Sequence, residues 1–99
     1  MAIPKQVKIG AVNYDVQEKT LVDNDADSWG VCVFYDNHIE ILEGLSEERK
    51  EQILVHEIVH AIFYEWGFEE QDEDLVNRVG ITLHQFLKDN NLFHKQDVD

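Results

Sequence analysis

The chain has 99 residues, a hydrophobic share of 43% and a formal net charge of -13. This length suits one compact domain, expected over residues 1–99, and ten per cent aromatic residues argue against disorder. Eight Lys and Arg are too few for a phosphate-binding surface, which argues against direct nucleic-acid binding, and no apolar run is long enough to span a membrane.

The first half of the chain predicts a small antiparallel β-sheet of three to four strands. Its strand-like segments are residues 7–9, 12–16, 31–35 and 38–42. Most of them alternate apolar and polar residues, which is typical of a strand with one buried face, whereas 31–35 is mostly apolar and is expected to be buried. Gly10 and Asn37 stand between neighbouring segments and tolerate the positive φ of tight turns.

The second half changes to helical periodicity. Ser46 is a good N-cap for a helix that should run to about Trp66 and end at Gly67. A second helix is expected from about Asp72 to Asn90, packed against the first. The predicted fold class is therefore α+β, a small sheet followed by two packed helices.

The first helix carries the sequence His56-Glu57-Ile58-Val59-His60, an HExxH motif. Residues four apart lie on one face of a helix, about 6 Å apart along its axis, so both imidazoles can reach one metal ion. Glu57 is turned by about 100° from His56 and can act as a base beside the ion instead of binding it. The motif predicts a catalytic zinc site with one Zn²⁺ per chain.

A catalytic zinc ion usually has three protein ligands, so a third residue is required. Glu73 is the preferred candidate, because it stands in the first turn of the second helix, which should pack back against the first. Asn77 follows on the same face and is placed to accept a hydrogen bond from a ligand imidazole. Gly80 would let the two helices approach closely. The alternatives for the third ligand are Glu69, Glu70, Asp72, Asp74 and His84.

Other residues with possible chemistry receive structural interpretations. Cys32 is expected to be a buried small hydrophobe, and an acidic loop at residues 23–28 fails the calcium-loop pattern. His38 and His94 are expected at the surface. Tyr64 is expected to be a packed aromatic residue and not an oxyanion donor.

HEIVH followed by Glu73-x-x-Val76-Asn77-x-Val79-Gly80 resembles the ImmA/IrrE-type zinc metallopeptidases, over roughly residues 29–90. Members of that family have alanine where this chain has Val76 and Gly80. The resemblance implies a minimal zincin domain of the gluzincin type, in which two histidines and a glutamate bind zinc and Glu57 is the general base. It also implies a link to phages and mobile elements, where related peptidases cleave repressor proteins.

Two functions follow as hypotheses. The first is a zinc-dependent metallopeptidase that hydrolyses a protein or peptide substrate, bound in extended form along an exposed sheet edge such as residues 38–42. The second is a non-catalytic zinc-binding protein whose acidic surface contacts a basic protein partner. A single cysteine agrees with a reducing compartment, so a cytoplasmic location is expected.

Overall fold

The computed structural model describes residues 3–92 as four β-strands followed by two α-helices. The strands are β1 (Gln6–Ile9), β2 (Val12–Lys19), β3 (Gly30–Val33) and β4 (His38–Leu42), and the helices are α1 (Glu47–Glu65) and α2 (Glu73–Asp89). This arrangement confirms the predicted α+β class, with the HExxH motif on the first of two packed helices. His94, predicted as a surface residue, lies outside the described residues.

The strands form one sheet in the order β1-β2-β4-β3. The pairs β1–β2 and β3–β4 are antiparallel, but β2 and β4 pair in parallel, so the prediction of an antiparallel sheet is wrong at the central pairing. Residues 20–29 carry the chain from the end of β2 to the far edge of the sheet, and β4 returns between β2 and β3. The edge strand near α1 is therefore β3, whereas β4, expected at an edge, is central.

The two predicted turns lie where the sequence indicated. Gly10 has a φ of 65° between β1 and β2, and Asn37 has a φ of 53° before β4. The strand expected over residues 31–35 ends at Val33, because Phe34–Asp36 forms a 3-10 turn that Asn37 closes by donating its N–H to the Phe34 carbonyl (3.2 Å). The residues of β3 are half-buried instead of buried, since the strand has a partner on one side only.

The core lies between the sheet and α1. Its largest fully buried members are Tyr14 on β2, Ile39 and Ile41 on β4, and Leu54 on α1. The Tyr14 hydroxyl donates a 2.6 Å hydrogen bond to Glu65 at the end of α1. Burial and this hydrogen bond raise the pKa of Tyr14. The phenol therefore stays protonated and ties the last turn of α1 to β2.

Both helices begin and end close to the predicted residues. The Ser46 hydroxyl accepts a backbone N–H of the first turn of α1 (3.1 Å), and Gly67 follows its end with a φ of 109°. The Asp72 carboxylate accepts the N–H of Asp74 (2.9 Å) and so caps α2. Within the described chain, neither helix is long and apolar enough to cross a lipid bilayer.

At Gly30, β3 lies very close to α1. Among the described glycines, it is the one where an added Cβ would meet the nearest neighbouring atoms. A Cβ at residue 30 would overlap Ile53 Cγ2 and lie 3.2 Å from Glu57 Oε2. We expect Gly30→Ala to lower the free energy of unfolding by about 1–3 kcal/mol, the usual cost of overpacking, as measured by urea denaturation. Gly44→Ala is the matched control, because nothing lies within 4 Å of a Cβ there. An equal loss in both variants would contradict the proposed clash.

Candidate metal centre

The two histidines of the motif lie on the face of α1 that meets α2. Their ring centroids are 5.0 Å apart and their side chains are about one-fifth exposed. Burial, followed by the nearby His60, lowers the pKa of His56, against an opposing effect of Glu73. A neutral imidazole is the form that binds a metal ion, so this environment favours ligand chemistry at neutral pH.

Glu73, the first residue of α2, completes the group. Its Oε1 lies 2.9 Å from His60 Nε2, and its Oε2 lies 3.6 Å from His56 Nε2. The ligand atoms of these three residues lie within 4.8 Å of one another. In a tetrahedral zinc site with bonds of about 2.0–2.1 Å, neighbouring ligand atoms are about 3.4 Å apart, a value between the two distances. The residues therefore fit a zinc ion.

Gln71 fixes the orientation of His60, a role that was not predicted from the sequence. Its side-chain amide donates to the His60 carbonyl (3.1 Å), so its Oε1 is left to accept the Nδ1–H of the same residue (2.8 Å). Since Nδ1 then carries the proton, Nε2 is the nitrogen with a free lone pair, and it faces Glu73. No motif in the sequence marks Gln71, because it lies in the connection between the helices.

Gly80 and Asn77 lie where α2 crosses the motif. A Cβ at Gly80 would be 3.4 Å from the His56 Cα, which bears out the expected close approach of the helices. Asn77 borders the same cavity as His56 and Glu57. Its side chain makes no hydrogen bond to an imidazole within residues 3–92, and Gln71 is the residue that does.

The rival third ligands lie in other environments. His84 is directed to the buried carboxylate of Glu51, with Nε2 3.7 Å from Oε1, and Lys88 Nζ lies 2.9 Å from the same oxygen. Asp72 caps α2, and Asp74 pairs with Arg78 (3.0 Å). Among the described residues, the carboxylate grouped with the two histidines is that of Glu73, not those of Glu69 or Glu70.

Glu57 is buried, with only 7% of its surface exposed, and its carboxylate accepts no hydrogen bond within residues 3–92. Desolvation, assisted by the negative charge of Glu73, raises its pKa to about 8. In its ionised form, a carboxylate with a raised pKa is a stronger base than an exposed one, which suits proton transfer.

Glu57 and Gly30 lie where two cavities meet. A cavity of about 340 Å³ extends past His56 towards Trp29, and one of about 270 Å³ extends past His60 and Glu73. Together they form a cleft with α1 as its floor, β3 as one wall and α2 as the other. The candidate metal-binding group thus opens to a space that an extended chain could enter.

Three residues with other predicted roles can be placed. Cys32 was expected to be buried but is half-buried, and it packs against the core; burial raises the pKa of its thiol to about 12. Tyr64 stacks on Phe34 with ring centroids 4.2 Å apart, as expected of a packed aromatic. His38, expected as a plain surface residue, is only 13% exposed and lies 2.7 and 2.9 Å from the carboxylates of Asp36 and Glu40.

Replacement of Glu73 tests the third ligand. We expect Glu73→Ala to weaken zinc binding more than about 100-fold, since loss of a supporting residue alone costs about 10–100-fold. Competition with a chromophoric chelator measures the affinity. Asp74→Ala removes the same charge from the same helical turn and should leave the affinity within a few-fold. Equal losses would mean that the effect is general electrostatics and not coordination.

The raised pKa of Glu57 predicts a pH-dependent stability of the metal-free protein. Between about pH 4.5 and 8 the folded chain keeps a proton that the unfolded chain releases, so the free energy of unfolding falls as the pH rises. Glu57→Gln removes this contribution. In the presence of a metal chelator, the free energy of unfolding of the variant relative to that of the wild type should rise by up to about 1.4 kcal/mol per pH unit. The difference should level off above pH 8. A difference that is constant with pH would contradict the assignment.

Comparisons of the chain with protein-family models, with curated proteins and with solved structures give no match. The chemistry of the site is therefore inferred from its residues and the distances between them. These comprise two imidazoles, one exposed carboxylate within reach of both, and a buried carboxylate on the floor of a cleft.

Proposed function

We propose that the protein is a zinc-dependent metallopeptidase in which His56, His60 and Glu73 hold one Zn²⁺ and Glu57 is the general base. The observation that carries the proposal is the placement of Glu57. A structural metal site requires no buried carboxylate beside its ligands, and such sites are usually closed by four protein ligands. Here three ligand residues border an open cleft, and Glu57 lines both of its cavities.

When bound, zinc would supply Lewis acidity, polarising a peptide carbonyl and making a water molecule acidic enough to lose a proton near pH 7. Glu57 would accept that proton as the water attacks the carbonyl carbon and would then deliver it to the leaving amine. Burial strengthens this base. Gln71 would keep the His60 Nε2 directed at the ion throughout, because the Nδ1–H is held in place.

The substrate is proposed to be a protein or peptide that lies along β3 in extended form. β3 is an edge strand paired with β4 on one side, and its other side borders the cleft above α1. An extended peptide can add to such an edge through backbone hydrogen bonds, while side chains alternate between the cleft and solvent. This assignment replaces the expected edge at residues 38–42, since β4 is paired on both sides.

The resemblance to the ImmA/IrrE-type peptidases supports the same assignment of roles. It rests on the motif together with Glu73 and Asn77. Gly80 stands where family members have alanine, and its close approach to His56 gives a small residue there a physical reason. A cytoplasmic location remains part of the proposal, supported by a single cysteine whose thiol is held in its protonated form.

The alternative is a non-catalytic zinc-binding protein that contacts a basic protein partner. The net charge of -13 favours it, because an acidic surface attracts basic partners and repels nucleic acid. The two functions share the zinc ligands and differ at Glu57, which only the peptidase requires.

Glu57→Gln separates the two functions. In a peptidase we expect it to lower the rate of peptide cleavage about 10²–10⁴-fold, the usual contribution of a general base, while zinc content stays at one per chain. Cleavage is measured by mass spectrometry on an unfolded protein and a mixed peptide library, and zinc by elemental analysis. Glu73→Ala is the companion variant and should lose both zinc and cleavage. Cleavage that persists in Glu57→Gln would refute the proposed mechanism.

A further inference from the structure

We propose that the larger cavity, beside His56, is a side-chain subsite for a lysine or arginine of the substrate, with Asp27 facing the cation. The inference rests on the proposed function for its substrate class. It concerns residues of the loop before β3 and of α2 that the hydrolytic step itself does not use.

The cavity has the size and position of a side-chain pocket. Its volume is about 340 Å³, and its inner end is formed by His56 and Glu57, where the scissile bond would lie. Gly30 stands between the pocket and the second cavity. Because Gly30 has no side chain, a substrate residue can turn from the edge of β3 into the pocket without obstruction.

The walls of the pocket suit a long aliphatic stem. Trp29, Ile53 and Ile81 line it, and Trp29 and Ile81 remain 47% and 50% exposed. When an apolar group of a ligand covers such exposed apolar side chains, the free energy of the complex is lowered. Four methylenes of lysine or three of arginine provide such a group.

Asp27 provides the charge at the outer end. Its carboxylate forms no ion pair and accepts no hydrogen bond within residues 3–92, so it is available to a ligand. The backbone around it is held, because its N–H donates to Asp25 Oδ1 (3.0 Å). The net charge of -13 further favours the approach of a basic segment.

The position of Arg49 beside Trp29 gives the pocket a charge direction. The Arg49 guanidinium lies 5.9 Å from the centre of the Trp29 ring, contacts the Gln52 side chain, and borders a neighbouring cavity that Lys88 also lines. A substrate cation is therefore attracted to the Asp27 end and repelled from the Arg49 end. An acidic side chain would have the opposite preference. A pocket for a basic substrate residue can therefore be distinguished by experiment from a pocket for an acidic one.

The test uses zinc-loaded Glu57→Gln protein, so that binding is measured without turnover. The peptides form a positional scan in which arginine, norleucine or glutamate is placed at each position in turn. At the position that enters the pocket, we expect the arginine peptide to bind about two- to fivefold more tightly than the norleucine peptide, the range of a partly exposed ion pair. This advantage should shrink as the salt concentration is raised. Adding Asp27→Asn should abolish the advantage and leave norleucine binding unchanged.

Asp23→Asn is the matched control, because Asp23 belongs to the same loop, does not line the pocket, and has a φ of 53° that asparagine tolerates. It should keep the preference for arginine. Adding Asp27→Lys to Glu57→Gln should reverse the preference towards glutamate. A preference unaffected by Asp27→Asn, or a glutamate peptide that binds best before any change at residue 27, would overturn the inference.

A second measurement is independent of peptide binding. Titration of n-butylguanidinium should shift the Trp29 indole N–H and the Ile53 and Ile81 methyl resonances, with Trp66→Phe used to assign the indole signal. Butylguanidinium binding without any cleavage by the wild type would sink the proposed peptidase but keep the pocket. Cleavage without a preference for arginine or lysine would keep the proposed peptidase but refute the pocket. Absence of both the resonance shifts and the binding preference would also refute the pocket.

Discussion

The contact of α2 with α1 at Gly80 is the constraint on which the rest of the site depends. A Cβ at Gly80 would already touch the His56 Cα, so any larger side chain there would push the helices apart. With the helices this close, the Asp72 cap starts α2 at the level of His60 and puts Glu73 within 2.9 Å of its imidazole. One small residue thus sets the distance between ligands that are separated by seventeen and thirteen positions in the sequence.

The two buried glutamates of α1 show what burial of a carboxylate requires. Glu51, 2% exposed, has Lys88 at 2.9 Å and His84 at 3.7 Å, so its charge is compensated by α2. Glu57 is almost as deeply buried but has no such partner among the described residues, and its pKa rises to about 8 in consequence. Burial of an uncompensated carboxylate costs stability, and groups of this kind are typical of functional sites. The contrast within one helix supports a chemical role for Glu57 and a structural one for Glu51.

The elements that the sequence predicted well are those governed by local rules. Helix caps such as Ser46, turn residues such as Asn37 and the i, i+4 spacing of the histidines act over a few residues, and all lie where expected. Partner choice between strands is not local. The alternation of β2 and β4 indicates that each has one buried face but not that they lie side by side and parallel, so the true edge strand was missed.

The same limit applies to individual site residues. Glu73 could be predicted because it occupies a helical first turn facing the motif, whereas Gln71 reaches His60 only through the shape of the connection before α2. His38 was misjudged because its environment comes from the Asp36 and Glu40 carboxylates, on a hairpin whose packing against β2 the pattern did not reveal. Contacts made by loops and by neighbouring strands leave no periodic signal in the sequence.

The metal ion would also matter for the fold. Within the described part of α2, Val76 and Gly80 are the buried residues, and apolar side chains such as Leu75 and Phe86 remain about half exposed. The helix is therefore held by a narrow contact and by the polar links of Glu73, His84 and Lys88 to α1. A zinc ion shared between Glu73 and the two histidines would join the helices and so couple metal binding to folding. Selection for stability alone would keep the three ligands, which is why the ligand set does not separate an enzyme from a binding protein. The uncompensated carboxylate of Glu57 has no such structural benefit, and it is the residue that favours catalysis.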